Sequence, residues 1–251
     1  MRIILLTLIF LMSFENIAMA ENMPGELQLQ SPNALTDELA KGNVASAVKV
    51  FVILTALSFI PAILLSMTSF TRIIIVLGFL RQALGTQSIP PPQIIVGLSL
   101  FLSFYIMGDT LEKVKVDAVV PFVDDKISQN EAIDRGMKHM RKFMLANVKE
   151  DDVINMLRLS GKDLPETVDD IPSSVLIPAF MISELKVAFQ MGFLIFVPFL
   201  LLDLVTSSVL MSMGMMMLPP VIISLPLKVV LFVLVDGWTL ITQSLVRSFQ
   251  F

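Results

Sequence analysis

Two long apolar runs constrain this chain more than anything else in it. Val187 to Leu210 and Val221 to about Val246 each exceed the roughly 20 residues needed to cross a hydrocarbon core about 30 Å thick. Between them the chain must turn, and Gly214, Pro219 and Pro220 supply the punctuation. Hairpin turns are usually polar, yet this one holds five methionines (Met211, Met213, Met215, Met216 and Met217) and no charge. Methionine is unbranched and polarisable, so a ring of such loops can form a deformable apolar seal around objects of varying shape. Alternatively the methionines fill a packed core or sit in lipid, and both readings stand open on composition alone.

Composition supports a membrane protein. Of 251 residues, 55% are hydrophobic, and the mean hydropathy is +0.80. The chain has no cysteine, which excludes disulfides, thiolate metal sites and cysteine nucleophiles together. A net charge of −4 gives no basic footprint for nucleic acid. The charge is also unevenly placed. Of 18 basic and 22 acidic residues, 24 lie between Asp109 and Asp170, so the order reads membrane, polar insert, membrane.

In chain order, residues 1–20 have one basic residue (Arg2), an apolar run Ile3 to Met12, and Ala18-Met-Ala20. This is the pattern of a secretory signal peptide cleaved after Ala20; a retained first helix is the competing reading, but the run is short for a span. Residues 21–43 form a polar lead-in with little to bury. A first span is expected over Val44 to Ser66, kinked at Pro61. Met67 to Pro92 reads as a connection, because Arg72 and Arg81 leave only Ile73 to Leu80 between them. Thr71 is a candidate helix cap and Gly85 a candidate stop. The triple proline Pro90-Pro-Pro92 permits a new helix to start, and a second span follows over Gln93 to Gly108.

The charged insert, 109–173, is expected to be a small helical subdomain on the periplasmic side. Ser128-Gln-Asn-Glu131 reads as a capping box, followed by Ile133, Met137, Met140, Met144 and Val148 at helical spacing. A second short helix is expected over about Asp151 to Leu159, ending at Gly161. Four spans with a cleaved signal put both ends outside and the two arginines inside. Residues 174–251 form the second apolar hairpin.

Five ionisable residues lie in or beside apolar segments: Glu184, Lys186, Asp203, Lys228 and Asp236. A charge at the bilayer centre costs about 2.5–3.5 kcal/mol on insertion scales, so each needs a partner, water or a terminal position. Glu184 and Lys228 are taken to lie at comparable distances from the Met turn and to form an assembly salt bridge, within or between subunits. Otherwise Glu184 and Lys186 simply lie near the helix start, outside the hydrocarbon.

No enzymatic constellation is present in the sequence. His139 stands on a charged helix with no second ligand nearby. Gly161-Lys162 lacks the upstream glycine of a phosphate-binding loop, which would stand at Met156. Gly97-Leu-Ser99-Leu100 fails the nucleophile-elbow pattern at its last position. No cofactor and no metal is expected.

Several blocks nevertheless carry a family resemblance. Pro178-Ala-Phe-Met-Ile-Ser-Glu-Leu-Lys186, Leu210-Met-Ser-Met-Gly-Met-Met-Met-Leu-Pro-Pro220 and Phe232-Val-Leu-Val-Asp-Gly-Trp238 resemble signatures of the FliP family. So does the earlier block Met67-Thr-Ser-Phe-Thr-Arg72 through Leu80-Arg-Gln-Ala-Leu-Gly-Thr-Gln87 to Pro90-Pro-Pro92. The resemblance covers about Lys49 to Phe251 and is weakest across the charged middle.

It implies an all-α membrane protein of apolar helical hairpins with a small helical polar insert, assembling into a ring-like or helical oligomer. The implied function is a pore-forming structural subunit of the flagellar type III protein export gate in the bacterial inner membrane. The implied partners are other copies of the chain, FliQ-like and FliR-like subunits, FlhA-like and FlhB-like membrane proteins, and unfolded flagellar export substrates. Met215, Met216 and Met217, with Met213, fall on the family's Met-rich constriction loop, and Phe180 and Phe189 are taken as further pore lining. Family members stand largely above the bilayer once assembled, whereas hydropathy describes four transmembrane helices. Apolar length alone does not separate lipid from protein neighbours. Two alternatives remain: the virulence injectisome counterpart, against which the signal peptide and lead-in count, and an ion channel or secondary transporter. The latter would carry midplane polar sites or internal repeats, and the Pro-Ala pairs at 61–62 and 178–179 are too slight for one.

Overall fold

The computed structural model describes residues 65–86, 90–161, 165, 167–215 and 219–250, with isolated positions between 48 and 63. The expected signal peptide, the polar lead-in, Pro61, and Met216 and Met217 lie outside the described residues. The chain divides into two units, Met1–Phe59 and Ile60–Phe251. In the first, the described positions from Val48 to Phe59 are helical. The second contains everything that follows, and all its regular structure among the described residues is helical.

Helix α1 (Phe70–Ala83) occupies the segment expected to be a connection. Ile73, Val76, Leu77 and Leu80 follow the i, i+3, i+4, i+7 pattern of one helical face, and each is at most 3% exposed. Eight apolar residues are too few to cross a membrane but enough to bury a helix against protein neighbours. Full burial of one such side chain stabilises by about 1.5–3 kcal/mol. The expected cap, Thr71, lies inside the helix; Ser69 holds the N-cap position, and its hydroxyl meets that of Ser103 at 2.9 Å. Gly85 ends the helix in the left-handed region, φ +75°, and donates its N–H to Gln82 O.

Helix α2 (Pro92–Ile106) starts with proline at its first position, where the missing N–H is harmless. At Met107 the path bends by 68° into α3 (Gly108–Val114), a π-helical turn (Lys115–Val119) and α4 (Val120–Val123). Helix α5 (Gln129–Asn147) is capped by Ser128, whose hydroxyl accepts from Glu131 N–H at 3.3 Å. Only half of the capping box forms, because the Glu131 carboxylate turns to Arg135 at 2.6 Å. Ile133 is exposed, so the inward stripe of α5 runs from the half-buried Met137 to the buried Phe143 and Met144. Helix α6 (Glu150–Leu159) opens with three acids that suit its positive N-terminal end, and Gly161 follows at φ +64°. A short 3-10 turn (Val168–Asp170) leads to the longest element.

Helix α7 (Ser173–Ser212) runs unbroken for 40 residues despite Pro178 and Pro198. At 1.5 Å per residue it is about 60 Å long, twice the hydrocarbon thickness. Helices α8 (Pro220–Leu234) and α9 (Gly237–Arg247) meet at a 65° bend. Asp236 makes the corner at φ +51°, a conformation that aspartate tolerates better than most residues.

Among the described residues, α7 alone is an uninterrupted helix long and apolar enough to cross a membrane. Each bent pair, Pro92–Ile106 with Gly108–Val123 and Pro220–Leu234 with Gly237–Arg247, qualifies only if taken as one broken span. The second arm of the hairpin is therefore bent where its sequence reads as a continuous run.

The core lies where α1 packs along the first half of α7, joined by Phe143 and Met144 of α5, Val153 and Leu157 of α6, Leu245 of α9 and Phe249 just beyond it. Gly192 lets α1 and α7 approach closely, since a Cβ there would overlap the Phe79 ring.

Candidate functional site

The turn between α7 and α8 is built by local chemistry. Gly214 adopts φ +73°, so its N–H reaches Met211 O at 3.1 Å while Met215 N–H reaches Leu210 O at 3.0 Å. These are the two paired bonds of a Schellman motif, which close the carbonyls left over at a helix end. Pro219 and Pro220 then start α8. Met211, Met213 and Met215 project from this end at 59%, 66% and 39% exposure. For these three, the reading in which the methionines fill the chain's own core does not hold.

Three ion pairs brace the hairpin, two against the rest of the chain and one between its own arms. In the first, Arg72 of α1 meets Glu184 of α7. Arg72 Nε donates to Glu184 Oε2 at 2.8 Å, and a second guanidinium nitrogen donates to Oε1. The other terminal nitrogen donates to Ser248 O at 2.7 Å and to its hydroxyl at 2.9 Å. The Phe249 ring lies 3.8 Å from the guanidinium carbon. The two side chains are 2% and 0% exposed, so every polar edge of the fork is used inside the protein.

In the second pair, Lys228 of α8 donates to Asp203 Oδ2 of α7 at 2.7 Å and to Ala83 O at the end of α1 at 3.2 Å. The third joins Lys186 of α7 to Asp152 of α6 and so ties the insert to the long helix.

Glu184 and Lys228 are therefore not brought together within the chain. Glu184 stands 30 residues before Gly214 and Lys228 only 14 after it, so the two occupy different levels of the hairpin. Asp203, 11 residues before Gly214, is the residue at the level of Lys228. That register was available in the sequence. The partnership of Arg72 was not, because it depends on α1 folding inward.

The two phenylalanines also separate. Phe180 is fully buried and packs edge-on to Phe143, with centroids 6.1 Å apart, so it offers no lining surface. Phe189 is 57% exposed and contacts Phe79 edge-on at 5.3 Å. Nine residues of α7 place them on opposite faces. His139, which has no partner visible in the sequence, meets Asp117 of the π-helical turn at 2.8 Å.

A long apolar hairpin with Met211, Met213 and Met215 exposed at its end, internal ion pairs and a charged helical insert defines an all-α membrane protein. The FliP family model matches residues 53–245. The chain is 52% identical over 207 residues to a flagellar biosynthetic protein FliP of Bacillus subtilis (strain 168), covering 82% of this chain and 94% of that one. It is 51% identical over 224 residues to a protein of the same name from Pectobacterium carotovorum subsp. carotovorum, covering 88% and 86%. With that of Aquifex aeolicus (strain VF5) the identity is 45% over 215 residues, covering 85% and 90%. This chain belongs to the FliP family.

Proposed function

We propose that the chain is a pore-forming structural subunit of the flagellar type III protein export gate, passing unfolded flagellar proteins and sealed by its Met-rich turn. It works without catalysis, as one of several copies in the bacterial inner membrane, together with FliQ-like, FliR-like, FlhA-like and FlhB-like subunits. Its charged insert stands on the periplasmic side. The observation that carries this reading is the exposure of Met211, Met213 and Met215 at the uncharged turn that ends the long hairpin of a FliP-family chain.

The mechanism is that of a gasket. Gly214 and the proline pair hold each turn at the hairpin end, so neighbouring copies present thioether side chains to a common centre. Unbranched thioethers repack around a passing chain without selecting its sequence, and an apolar constriction excludes hydrated ions when nothing passes. The buried Arg72–Glu184 pair and the partly exposed Lys228–Asp203 pair hold the hairpin rigid, leaving the turn as the deformable part. Met213 and Met215 seal together with Met216 and Met217, and the exposed Phe189 faces outward for lining or for contact with a neighbour.

The test compares ion leak across the inner membrane and export of flagellar proteins in wild type and in a variant lacking Met215, Met216 and Met217. Leak with export retained supports the gasket. A tight membrane with normal export means that the methionines only pack and that the seal lies elsewhere.

A further inference from the structure

An open groove of about 400 Å³ lies between the end of α2 and the end of α9, lined by Leu102, Tyr105, Thr242, Gln243, Val246 and Arg247. Its volume falls within the range of small-molecule sites, roughly 300–1,000 Å³. Leu102 and Val246 supply apolar walls. Tyr105, Thr242, Gln243 and Arg247 supply hydroxyl, amide and guanidinium donors, and none of these four side chains makes a hydrogen bond or ion pair among the described residues. In this Arg247 resembles Arg81 and Arg158 and differs from Arg72, Arg135 and Arg141, whose guanidinium groups are all engaged.

The groove also lies at a telling level. The α2 wall ends at Met107, where the chain bends by 68° out of an apolar helix towards the charged insert. The α9 wall ends beside Ser248 and Gln250, and Gln250 exchanges hydrogen bonds with Asn147 of the insert, accepting at 3.1 Å and donating at 2.9 Å. Apolar helix surface therefore lies on one side of the groove and the charged insert on the other. Tyr105, the chain's one tyrosine, is 73% exposed there. Tyrosine and arginine at such a boundary match the headgroup layer of a membrane.

We propose that this groove binds a phosphate ester presented by an anionic phospholipid. Arg247 takes the phosphate with a planar fork that fits its oxygens. The Tyr105 hydroxyl and the Gln243 amide reach the remaining headgroup oxygens, and the acyl chains run along Leu102 and Val246. Arg247 also suits the negative C-terminal end of α9, but that role alone requires no groove beside it. The site stands apart from the Met turn, and its occupancy does not depend on what passes through the pore.

The experiment is native mass spectrometry of the full chain in detergent, titrated with phosphatidylglycerol, with diacylglycerol of the same acyl chains, and with glycerol phosphate. Phosphatidylglycerol is expected to stay bound, diacylglycerol to be lost, and glycerol phosphate neither to bind nor to displace the lipid. Arg247→Gln is expected to lower phosphatidylglycerol binding at least about tenfold, as loss of a charge-assisted contact does. Tyr105→Phe, at an exposed position where folding is not at stake, should lower it roughly threefold. Equal retention by wild type and both variants overturns the site. Equal binding of diacylglycerol reduces it to an apolar surface, and binding of glycerol phosphate alone overturns the lipid assignment in favour of a soluble phosphate. Occupation by a co-purifying protein chain in place of lipid overturns it as well.

Discussion

Arg72 and Glu184 stand 112 residues apart in the chain and meet in a doubly hydrogen-bonded ion pair closed to solvent. The same guanidinium holds Ser248 and lies against Phe249, so one side chain ties α1, α7 and the C-terminal segment together. Removing Glu184 leaves a buried cation with half its fork unpaired, which costs about 3–5 kcal/mol. Glu184→Ala is therefore expected to lower the thermal stability of the purified chain sharply. The double variant Arg72→Leu with Glu184→Leu should recover much of the loss, since an apolar pair carries no desolvation cost. Equal stability of Glu184→Ala and wild type would refute this role.

Lys228 and Asp203 form the corresponding pair nearer the Met turn. Lys228→Ala strands the partly exposed Asp203 on an apolar helix and frees Ala83 O, and at the bilayer centre an unpaired charge costs about 2.5–3.5 kcal/mol. We expect Lys228→Ala to impair assembly of the export complex, measured as oligomer yield on native gels. Asp203→Asn combined with Lys228→Met should restore part of that yield. Normal yield and full export with Lys228→Ala alone would show that the pair is dispensable.

Gly192 sets the spacing of α1 and α7. Alanine in a helix is favoured over glycine by about 1 kcal/mol, but here its methyl would overlap the Phe79 ring, and overpacking costs about 1–3 kcal/mol. Gly192→Ala should thus destabilise the chain, with the melting temperature as readout. Adding Phe79→Leu should reverse the sign, because the helix preference then acts without the clash. A stabilised single variant would mean that the ring moves aside freely.

Ser128 satisfies one N–H at the start of α5. Ser128→Ala should cost about 1 kcal/mol, felt locally because only that end loses its cap. Hydrogen exchange of residues 129–133 is the measurement, and faster exchange confined to that turn is the expected result. Unchanged protection there would mean that the Glu131–Arg135 pair holds the end alone.

Elements governed by neighbours in sequence were legible early. Gly214 with Pro219, Ser128 before α5, Pro92 at the head of α2 and Gly161 after α6 each act through backbone chemistry within a few residues. The Met turn was legible for the same reason. The level of Asp203 against Lys228 was also accessible by counting from Gly214, although Glu184 stands out more as a lone acid beside Lys186.

The sequence by itself determined the class of this protein, its family, the position of its hairpin and the apolar character of its turn, because hydrophobic length and capping are properties of a short stretch. Tertiary structure alone decided that residues 70–83 form a helix with one face buried and that Arg72, not Lys228, takes Glu184. It also decided that Phe180 closes the core while Phe189 faces out. The physical reason is that an apolar surface is equally content against lipid or protein. Charge pairing, in contrast, acts over a few ångströms between segments whose approach no local pattern records.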